Sequence, residues 1–199
     1  MELALFNEYP AYPPQELGPH RRSDYEILPD SPRCELIFGT FYKAPSPSLA
    51  HQLAALNIWR ILDGISRTTG ALAVAAPFDV ALFDHSVVQP DVLYFSAARR
   101  KLVRDRAEGA PDLVVEVVSP SSARNDRIQK LRLYADSGVQ EYWLVDAEGR
   151  HVQFLRRHED GYYRVVLPEG PIYQSANLLE IRLDLETYWR EVEERLAED

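Results

Sequence analysis

The sequence predicts an α/β protein of the α+β type, in which helices flank a mixed central β-sheet. Three segments carry this prediction: an apolar run interrupted by a single acid at Leu113–Val118, a helical stretch at residues 125–137, and a second apolar run at residues 142–145. Apolar runs of this kind are typical of strands buried on both faces. A helix between two strands allows them to lie parallel. Further strand-like segments on both sides of this unit extend the sheet, and further helices cover it.

The N-terminal part of the chain divides into an arm and a first group of elements. Residues 1–32 are rich in proline and have no clear period, which predicts an irregular arm ahead of one domain over residues 33–199. A hairpin turn is predicted at residues 38–39, where glycine can adopt a positive φ. Prolines and serines at residues 45–48 precede an apolar face that predicts a helix over residues 49–63.

The later elements are predicted from apolar runs. Residues 71–83 predict a strand pair or one strand bent at Pro77, and residues 87–95 predict another apolar strand with an acid, Asp91, at its entrance. Beyond the central unit we expect three antiparallel strands and an acidic amphipathic helix, at residues 151–155, 162–166, 178–183 and 185–196.

Composition limits the classes of protein to which the chain can belong. A net charge of −9 argues against a protein that coats nucleic acid or an anionic membrane through its overall charge, although a local basic groove stays possible. The single cysteine, Cys34, cannot form a disulfide within the chain. No signal-peptide pattern, no apolar run of roughly 18 residues and no phosphate-binding glycine motif occurs. We therefore expect a cytoplasmic protein that does not span a membrane.

One residue of the central unit conflicts with its surroundings. Glu116 lies in the middle of an apolar strand, where an ionised carboxylate costs several kcal/mol unless it is paired or bound to a metal. Because side chains alternate along a strand, Asp112 shares its face. Two acids on one face of a buried strand suggest a cation. The alternatives are a buried arginine that pairs with Glu116 and a position at the wet end of the strand.

A further acid lies at the start of another apolar run. The stretch between Asp91 and Glu116 is long enough to turn through a hairpin and bring the two carboxylates together. Carboxylates from neighbouring strands, with a backbone carbonyl such as that of Val117, form a hard-oxygen set suited to Mg²⁺ or Mn²⁺. Such a metal can activate water and neutralise charge on a phosphodiester.

These segments together resemble the Uma-type family of proposed restriction endonucleases, within the PD-(D/E)XK nuclease superfamily. The likeness covers roughly residues 34–146 and is specific, because separate motifs occur in the same order. The motifs are the hairpin at residues 35–37, residues 45–51, Pro90-Asp91, residues 111–121, Asp126, Lys130, Tyr134, Gly138-Val139 and residues 141–146. The resemblance implies a restriction-endonuclease-like fold and a metal-dependent endonuclease that acts on DNA, with Mg²⁺ or Mn²⁺ held by Asp91 and Glu116.

One departure from the superfamily pattern shapes the catalytic hypothesis. The superfamily places a lysine two residues after the second acid, but this sequence has Val118 there. Lys130 matches the family's helical lysine, and its long stem can cross apolar surface to reach the strand. The resemblance therefore assigns catalysis to Asp91, Glu116 and Lys130. The alternative is a surface lysine that pairs with Asp126 one helical turn earlier.

Other residues are assigned supporting roles, each with an ordinary structural alternative. His51 matches a family position and borders the site, unless it is a helix cap or a surface residue. Glu35 supplies a further acid or pairs with an arginine, and Asp112 supports Glu116 or caps the entrance of the strand. The one dense basic cluster either grips DNA phosphates or forms a solvated loop. Its predicted DNA-binding members are Arg99, Arg100, Lys101 and Arg104.

Two functions are weighed. The first is DNA cleavage, and the second is a non-catalytic interaction or nucleic-acid-binding protein that retains the nuclease fold, which the acidic net charge favours slightly. Because cutting both DNA strands needs two active sites, a homodimer is expected. The aromatic residues Tyr162, Tyr163 and Trp189 offer apolar surface for that contact.

Overall fold

The structure is a computed structural model that describes residues 17–29, 32–119 and 125–197. The helices are α1 (Arg22–Glu26), α2 (Leu49–Thr69), α3 (Leu131–Ser137) and α4 (Leu185–Leu196), with a 3₁₀ turn at Arg100–Leu102 and a π-helical turn at Asn125–Lys130 that leads directly into α3. The strands are β1 (Cys34–Ile37), β2 (Thr40–Lys43), β3 (Leu72–Ala75), β4 (Val80–Phe83), β5 (Ser86–Val88), β6 (Val92–Phe95), β7 (Ala107–Glu108), β8 (Leu113–Val118), β9 (Glu141–Asp146), β10 (His151–Arg157), β11 (Tyr163–Val166), β12 (Ile172–Gln174) and β13 (Arg182–Asp184).

Two larger sheets form the scaffold. The first has six strands in the order β11-β10-β9-β8-β6-β3, and the second has five in the order β2-β1-β5-β4-β7. In the six-stranded sheet β8 and β9 are parallel and the other neighbours are antiparallel. The sheet is therefore mixed, as predicted, but the chain builds a second sheet beside it that the sequence did not reveal.

The strand, helix and strand of the central unit fold as the apolar pattern predicts. Each residue of β8 pairs with one of β9 in parallel register, from Leu113 with Glu141 to Val118 with Asp146. Between these strands, α3 ends at Gly138, whose φ of 86° lies in the left-handed region that glycine adopts without strain.

The six-stranded sheet is covered on both faces. On one face Leu113, Val115 and Val117 pack in a core with α2 and α4, whereas on the other Val114 packs in a core with α3 and the five-stranded sheet. Since side chains alternate along β8, Glu116 faces this second layer. A charged side chain thus lies in the apolar layer beside the second sheet.

Helix α2 is longer than predicted, and one predicted strand is divided. The helix runs to Thr69 because the next residue with left-handed backbone is Gly70, with a φ of 74°. Residues 87–95 form β5 and β6 in different sheets, since Pro90 lies between them and cannot donate a backbone hydrogen bond. Residues 71–83 form two strands, as one of the two predicted alternatives has it, although β3 and β4 lie in different sheets, with Pro77 between them.

The chain ends of the fold also differ in part from expectation. The predicted strand at residues 178–183 forms only in its last part, as β13, which pairs with β12. The predicted arm contains α1, while its residues 1–16 and 30–31 lie outside the described residues. Within the described ranges, none of the helices combines the length and the apolarity needed to cross a bilayer.

Candidate active site

A pocket of about 270 Å³ opens where β8 ends, and both larger sheets and the first turn of α2 line it. Its wall contains all three predicted catalytic residues and two of the supporting ones. The ionisable side chains drawn from these predictions are Glu35, His51, Asp91, Glu116 and Lys130. The fold therefore gathers residues that are far apart in the sequence into one place.

Lys130 is the centre of a buried charge cluster in this pocket. Its Nζ lies 2.9 Å from Glu35 Oε2, 2.9 Å from Glu116 Oε1 and 3.5 Å from Asp126 Oδ1. The fractional exposure is 5% for Lys130, 4% for Glu116 and 2% for Asp126. One ammonium thus faces three carboxylates with little access to water. The pairing with Asp126 predicted as the surface alternative does occur, but in the buried interior.

The pKa values in the cluster follow from burial and from this excess of acid. Burial raises the pKa of Glu116 well above its ordinary value, although Lys130 opposes the shift and the neighbouring acids add to it. Burial would lower the pKa of Lys130, but Glu116 and the other carboxylates outweigh it and hold that pKa well above its usual range. Lys130 therefore stays protonated, and the cluster favours any further positive charge that enters it.

Tyrosines from two elements fix the groups around Lys130. The Tyr134 hydroxyl donates a hydrogen bond of 2.7 Å to Glu116 Oε1, from the next turn of the same helical segment. The Tyr142 hydroxyl, on β9, donates at 3.0 Å to the backbone carbonyl of Asp126. This second bond ties the π-helical turn that carries Asp126 and Lys130 to the sheet.

Glu35 enters the pocket from the five-stranded sheet. While its Oε2 contacts Lys130, its Oε1 accepts a hydrogen bond of 2.8 Å from the backbone N–H of Gln89. Its hairpin has the predicted turn, with left-handed φ values of 50° at Phe38 and 76° at Gly39. The carboxylate is held from both sides and links the two sheets.

Asp91 and His51 form a second group in the pocket. Asp91 Oδ2 accepts a hydrogen bond of 2.7 Å from the backbone N–H of Val117 and lies 3.3 Å from His51 Nε2. His51 is in the first turn of α2, where Ser48 Oγ accepts a hydrogen bond of 3.2 Å from its backbone N–H. Burial would lower the pKa of His51, but the hydrogen bond and charge of Asp91 outweigh it, so this pKa is raised.

The two predicted metal ligands line the same pocket and come from neighbouring parts of the sheet. The antiparallel ladder between β6 and β8 ends with Val92 paired to Val115, and Asp91, directly before β6, accepts its hydrogen bond from the backbone N–H of Val117, the residue after Glu116. Within residues 17–29, 32–119 and 125–197 no three acids, histidines or cysteines are already grouped as a full ligand set. Two carboxylates and a backbone carbonyl nevertheless fit Mg²⁺, which retains several waters.

Asp112 does not lie in this pocket. Its Oδ2 accepts a hydrogen bond of 2.7 Å from the backbone N–H of Ser96, and its Oδ1 lies 3.3 Å from Arg99 Nε. Asp112 directly precedes β8 and binds Ser96 and Arg99, so it caps the entrance of the strand. This is the structural alternative to the predicted supporting role.

The predicted DNA-binding cluster also lies away from the pocket. Arg99 Nη1 donates to the backbone carbonyls of Ala110 and Pro111 at 3.0 Å each. Arg100 Nη1 donates to the carbonyls of Gly70 and Ala71. None of the four predicted basic residues is among the described residues that line the pocket. Two of the four hold backbone segments together.

Sequence reasoning missed two kinds of site residue. The role of Tyr134 was open to prediction, since it lies four positions after Lys130 and shares its helical face. The other kind is basic. Arg33, just before β1, and Lys43, at the end of β2, line the pocket side by side at the open end of the hairpin. Each stands alone in the sequence, so no local charge pattern marked it.

Known proteins agree with this architecture. A family model named Uma2, described as "Putative restriction endonuclease", matches residues 22–187. The crystal structure of a "putative nuclease belonging to DUF820" from Anabaena variabilis matches with a TM-score of 0.75 and 18% identity, over 87% of this chain and 99% of that chain. This match confirms the predicted fold class.

A curated relative is also similar in sequence. The uncharacterized protein slr1290 of Synechocystis sp. is 36% identical over 73 residues. The matched segment is 36% of this chain and 36% of that protein, so the likeness covers about a third of the relative's length.

Proposed function

Since the chain belongs to the Uma2 family, we propose that it is a metal-dependent endonuclease that hydrolyses phosphodiester bonds in DNA. The observation that carries this proposal is that the carboxylates of Asp91 and Glu116 and the amine of Lys130 line one pocket. Lys130 lies 2.9 Å from Glu116 in a pocket that Asp91 also lines, although the usual strand lysine is replaced by Val118.

Asp91 and Glu116 would hold Mg²⁺ or Mn²⁺, with the backbone carbonyl of Val117 as a third oxygen. When bound, such an ion supplies an activated water and offsets the charge of the phosphodiester. The charge of the pocket supports this assignment. Among the residues that the structure describes, five carboxylates line it, against three lysine and arginine side chains besides His51. Without a divalent cation, an anionic substrate would meet a surplus of negative charge.

Lys130 orients the attacking water and stabilises the charge that develops on the phosphoryl oxygens. Glu35 and Tyr134 position it, because they fix the ammonium and the Glu116 oxygen that it contacts. His51 acts through Asp91, whose carboxylate it contacts from the first turn of α2.

A homodimer is part of this proposal. The edge strand β11 of the six-stranded sheet is preceded by Tyr162, which is 58% exposed. Of the other predicted interface aromatics, Tyr163 donates its hydroxyl to the backbone carbonyl of Val139, and Trp189 packs partly against the core. Light scattering at micromolar concentration measures the assembly, and a monomer mass would contradict it.

The proposed activity is tested with plasmid DNA in Mg²⁺, in Mn²⁺ and with chelator. We expect nicking or linearisation with metal, and loss of that cleavage in Glu116→Gln, which removes a metal-binding charge with little change of shape. Calorimetry with Mn²⁺ measures binding separately, and Asp91→Asn and Glu116→Gln should each weaken it. Metal-independent binding of DNA without cleavage would instead favour the second candidate, a nucleic-acid-binding protein that retains the nuclease fold, which the net charge of −9 supports slightly.

A further inference from the structure

The edge of the pocket carries two basic side chains that the proposed chemistry does not use. Arg33 directly precedes β1 and Lys43 ends β2, and both line the pocket. Cys34 pairs with Lys43 across the hairpin, and the backbone N–H of Ala44 donates at 2.9 Å to the carbonyl of Arg33. The two basic residues therefore come from adjacent ends of paired strands, next to the strand position of Glu35.

Neither side chain is committed to the fold. Within the described residues, the Arg33 guanidinium and the Lys43 ammonium have no ion pair and no hydrogen bond. The carboxylates of the pocket do not neutralise these two cations, because Glu35 and its neighbours are already engaged with Lys130. Two uncommitted cations at the mouth of an acidic site are suited to an anionic ligand that enters from outside.

The basic cluster of residues 99–106 contrasts with this pair. Arg99 and Arg100 donate to backbone carbonyls, and Arg106 lies 2.8 Å from both Glu26 and Glu108. Most of that cluster's charge is therefore neutralised or used within the fold, at a distance from the pocket. The segment with the most basic residues in the sequence, 99–106, is therefore not the one that offers unpaired cations at the pocket, which are Arg33 and Lys43.

We propose that Arg33 and Lys43 form a phosphate-binding edge that holds the DNA backbone beside the scissile bond. This inference rests on the proposed function and names the substrate contact that it needs. Arginine can bind a phosphate through two parallel hydrogen bonds, and lysine adds a mobile point charge. The N-terminal turn of α2, with Ser48 and Ala50, lines the same pocket and adds the positive end of its dipole.

The test measures binding of a labelled DNA duplex by fluorescence anisotropy in the Glu116→Gln background, so that cleavage does not interfere. Arg33→Ala with Lys43→Ala should weaken binding by about tenfold or more. The slope of log affinity against log salt should become shallower by about 0.9 for each phosphate that the protein no longer neutralises. The charge-preserving pair Arg33→Lys with Lys43→Arg should retain most of the affinity, and melting curves show which variants are folded.

Two matched variants remove the same amount of charge elsewhere. Arg67 and Arg190 lie on exposed faces of α2 and α4, and their side chains are 74% and 63% exposed. The double variant Arg67→Ala with Arg190→Ala should leave the DNA affinity and the salt slope unchanged. Lys101→Ala with Arg104→Ala tests the basic cluster. An unchanged salt slope in the Arg33 and Lys43 variant, or a loss confined to the Lys101 and Arg104 variant, overturns this inference alone. Absence of any DNA binding by the wild-type protein with Mg²⁺ present overturns the proposed function with it.

Discussion

Two clusters of charged side chains join distant parts of this chain, and they are built on opposite plans. In the outer cluster Arg22 donates to both carboxylate oxygens of Glu108 at 2.7 Å, and Arg106 contacts Glu108 and Glu26. Two cations balance two acids there, on a partly exposed surface between α1 and β7. In the inner cluster a single buried amine, that of Lys130, faces three buried carboxylates.

The difference is the one expected between a cluster that supports the fold and a site that binds or reacts. Exposed and balanced ion pairs contribute little each and are screened by salt, so the outer cluster serves to dock α1. A buried cluster with surplus acid lowers the stability of the fold, because the desolvated charges are not fully compensated. Groups kept at such a cost are typical of sites that bind or react. Neutralising a carboxylate should therefore have opposite effects on stability in the two clusters.

The largest effect is expected for Lys130→Ala. Its cleavage rate should fall on the order of 10²-fold or more, the size of a lost electrostatic or acid–base contribution. Without metal, the free energy of unfolding should fall by about 3 to 5 kcal/mol, because three buried carboxylates lose their cation. Mg²⁺ affinity should hold or tighten, and Mg²⁺ should raise the melting temperature more than in the wild type. Normal cleavage by this variant, measured in single turnover, would refute the role of the helical lysine.

A second substitution sharpens this result. Val118 lines the pocket two residues after Glu116, the position of the lysine in the nuclease superfamily that the sequence resembles. Val118→Lys in the Lys130→Ala background returns an amine to the same strand face and should restore part of the lost rate. The control is Val118→Met, which has a long uncharged side chain and should restore nothing. Equal recovery in both would mean that space filling, rather than charge, limits the reaction.

Glu116→Gln, in contrast to Lys130→Ala, should leave the fold as stable as the wild type or more stable. Burial raises the pKa of Glu116 above its ordinary value of 4.5, so in the folded protein the carboxyl keeps its proton to higher pH. As pH rises above 4.5 the unfolded chain releases this proton first, and wild-type stability is lost through the window up to the folded pKa. The glutamine variant lacks this loss. Its melting temperature without metal should equal or exceed that of the wild type, with the margin growing as pH rises. A marked drop would make Glu116 a structural partner.

The smallest effect is expected in the outer cluster. Hydrogen bonds from Arg22 and then Arg106 lower the pKa of Glu108 to about 2. Its contribution to stability is present above the ordinary pKa and is lost as pH falls through about 2. Glu108→Gln should leave cleavage unchanged and should speed amide hydrogen exchange in Arg22–Glu26 only. Exchange that is also faster in β8 would show that the two clusters are energetically coupled.

What the sequence could predict depends on how local the signal is. The unit from β8 to β9 was predictable because an apolar run, a helical segment and Gly138 are each read within a few residues. Asp91 and Glu116 were recognisable because each is an acid beside apolar neighbours. The same reasoning placed Lys130 on a helix from which its stem can reach the strand, and did not show that it is buried with Glu35.

The remaining features depend on contacts that no local pattern contains. Glu35 reaches Lys130 only through the packing of one sheet beside another. Arg99 and Arg100 look available in the sequence, yet carbonyls from distant segments engage them. Arg33 and Lys43 acquire meaning only because the hairpin opens onto the pocket. Long-range packing decides which charges are free, and sequence composition does not.

The division of the pocket between two sheets has a consequence for the order of folding. Glu116 belongs to the six-stranded sheet and Glu35 to the five-stranded sheet, so their shared contact with Lys130 forms only when the sheets dock. Contacts between residues so far apart in sequence form late, because closing the intervening chain costs entropy. A partly folded molecule lacks Glu35 and the hairpin edge at its pocket. For an enzyme of the proposed kind, the complete DNA-cleaving site therefore forms only after both sheets have folded and docked.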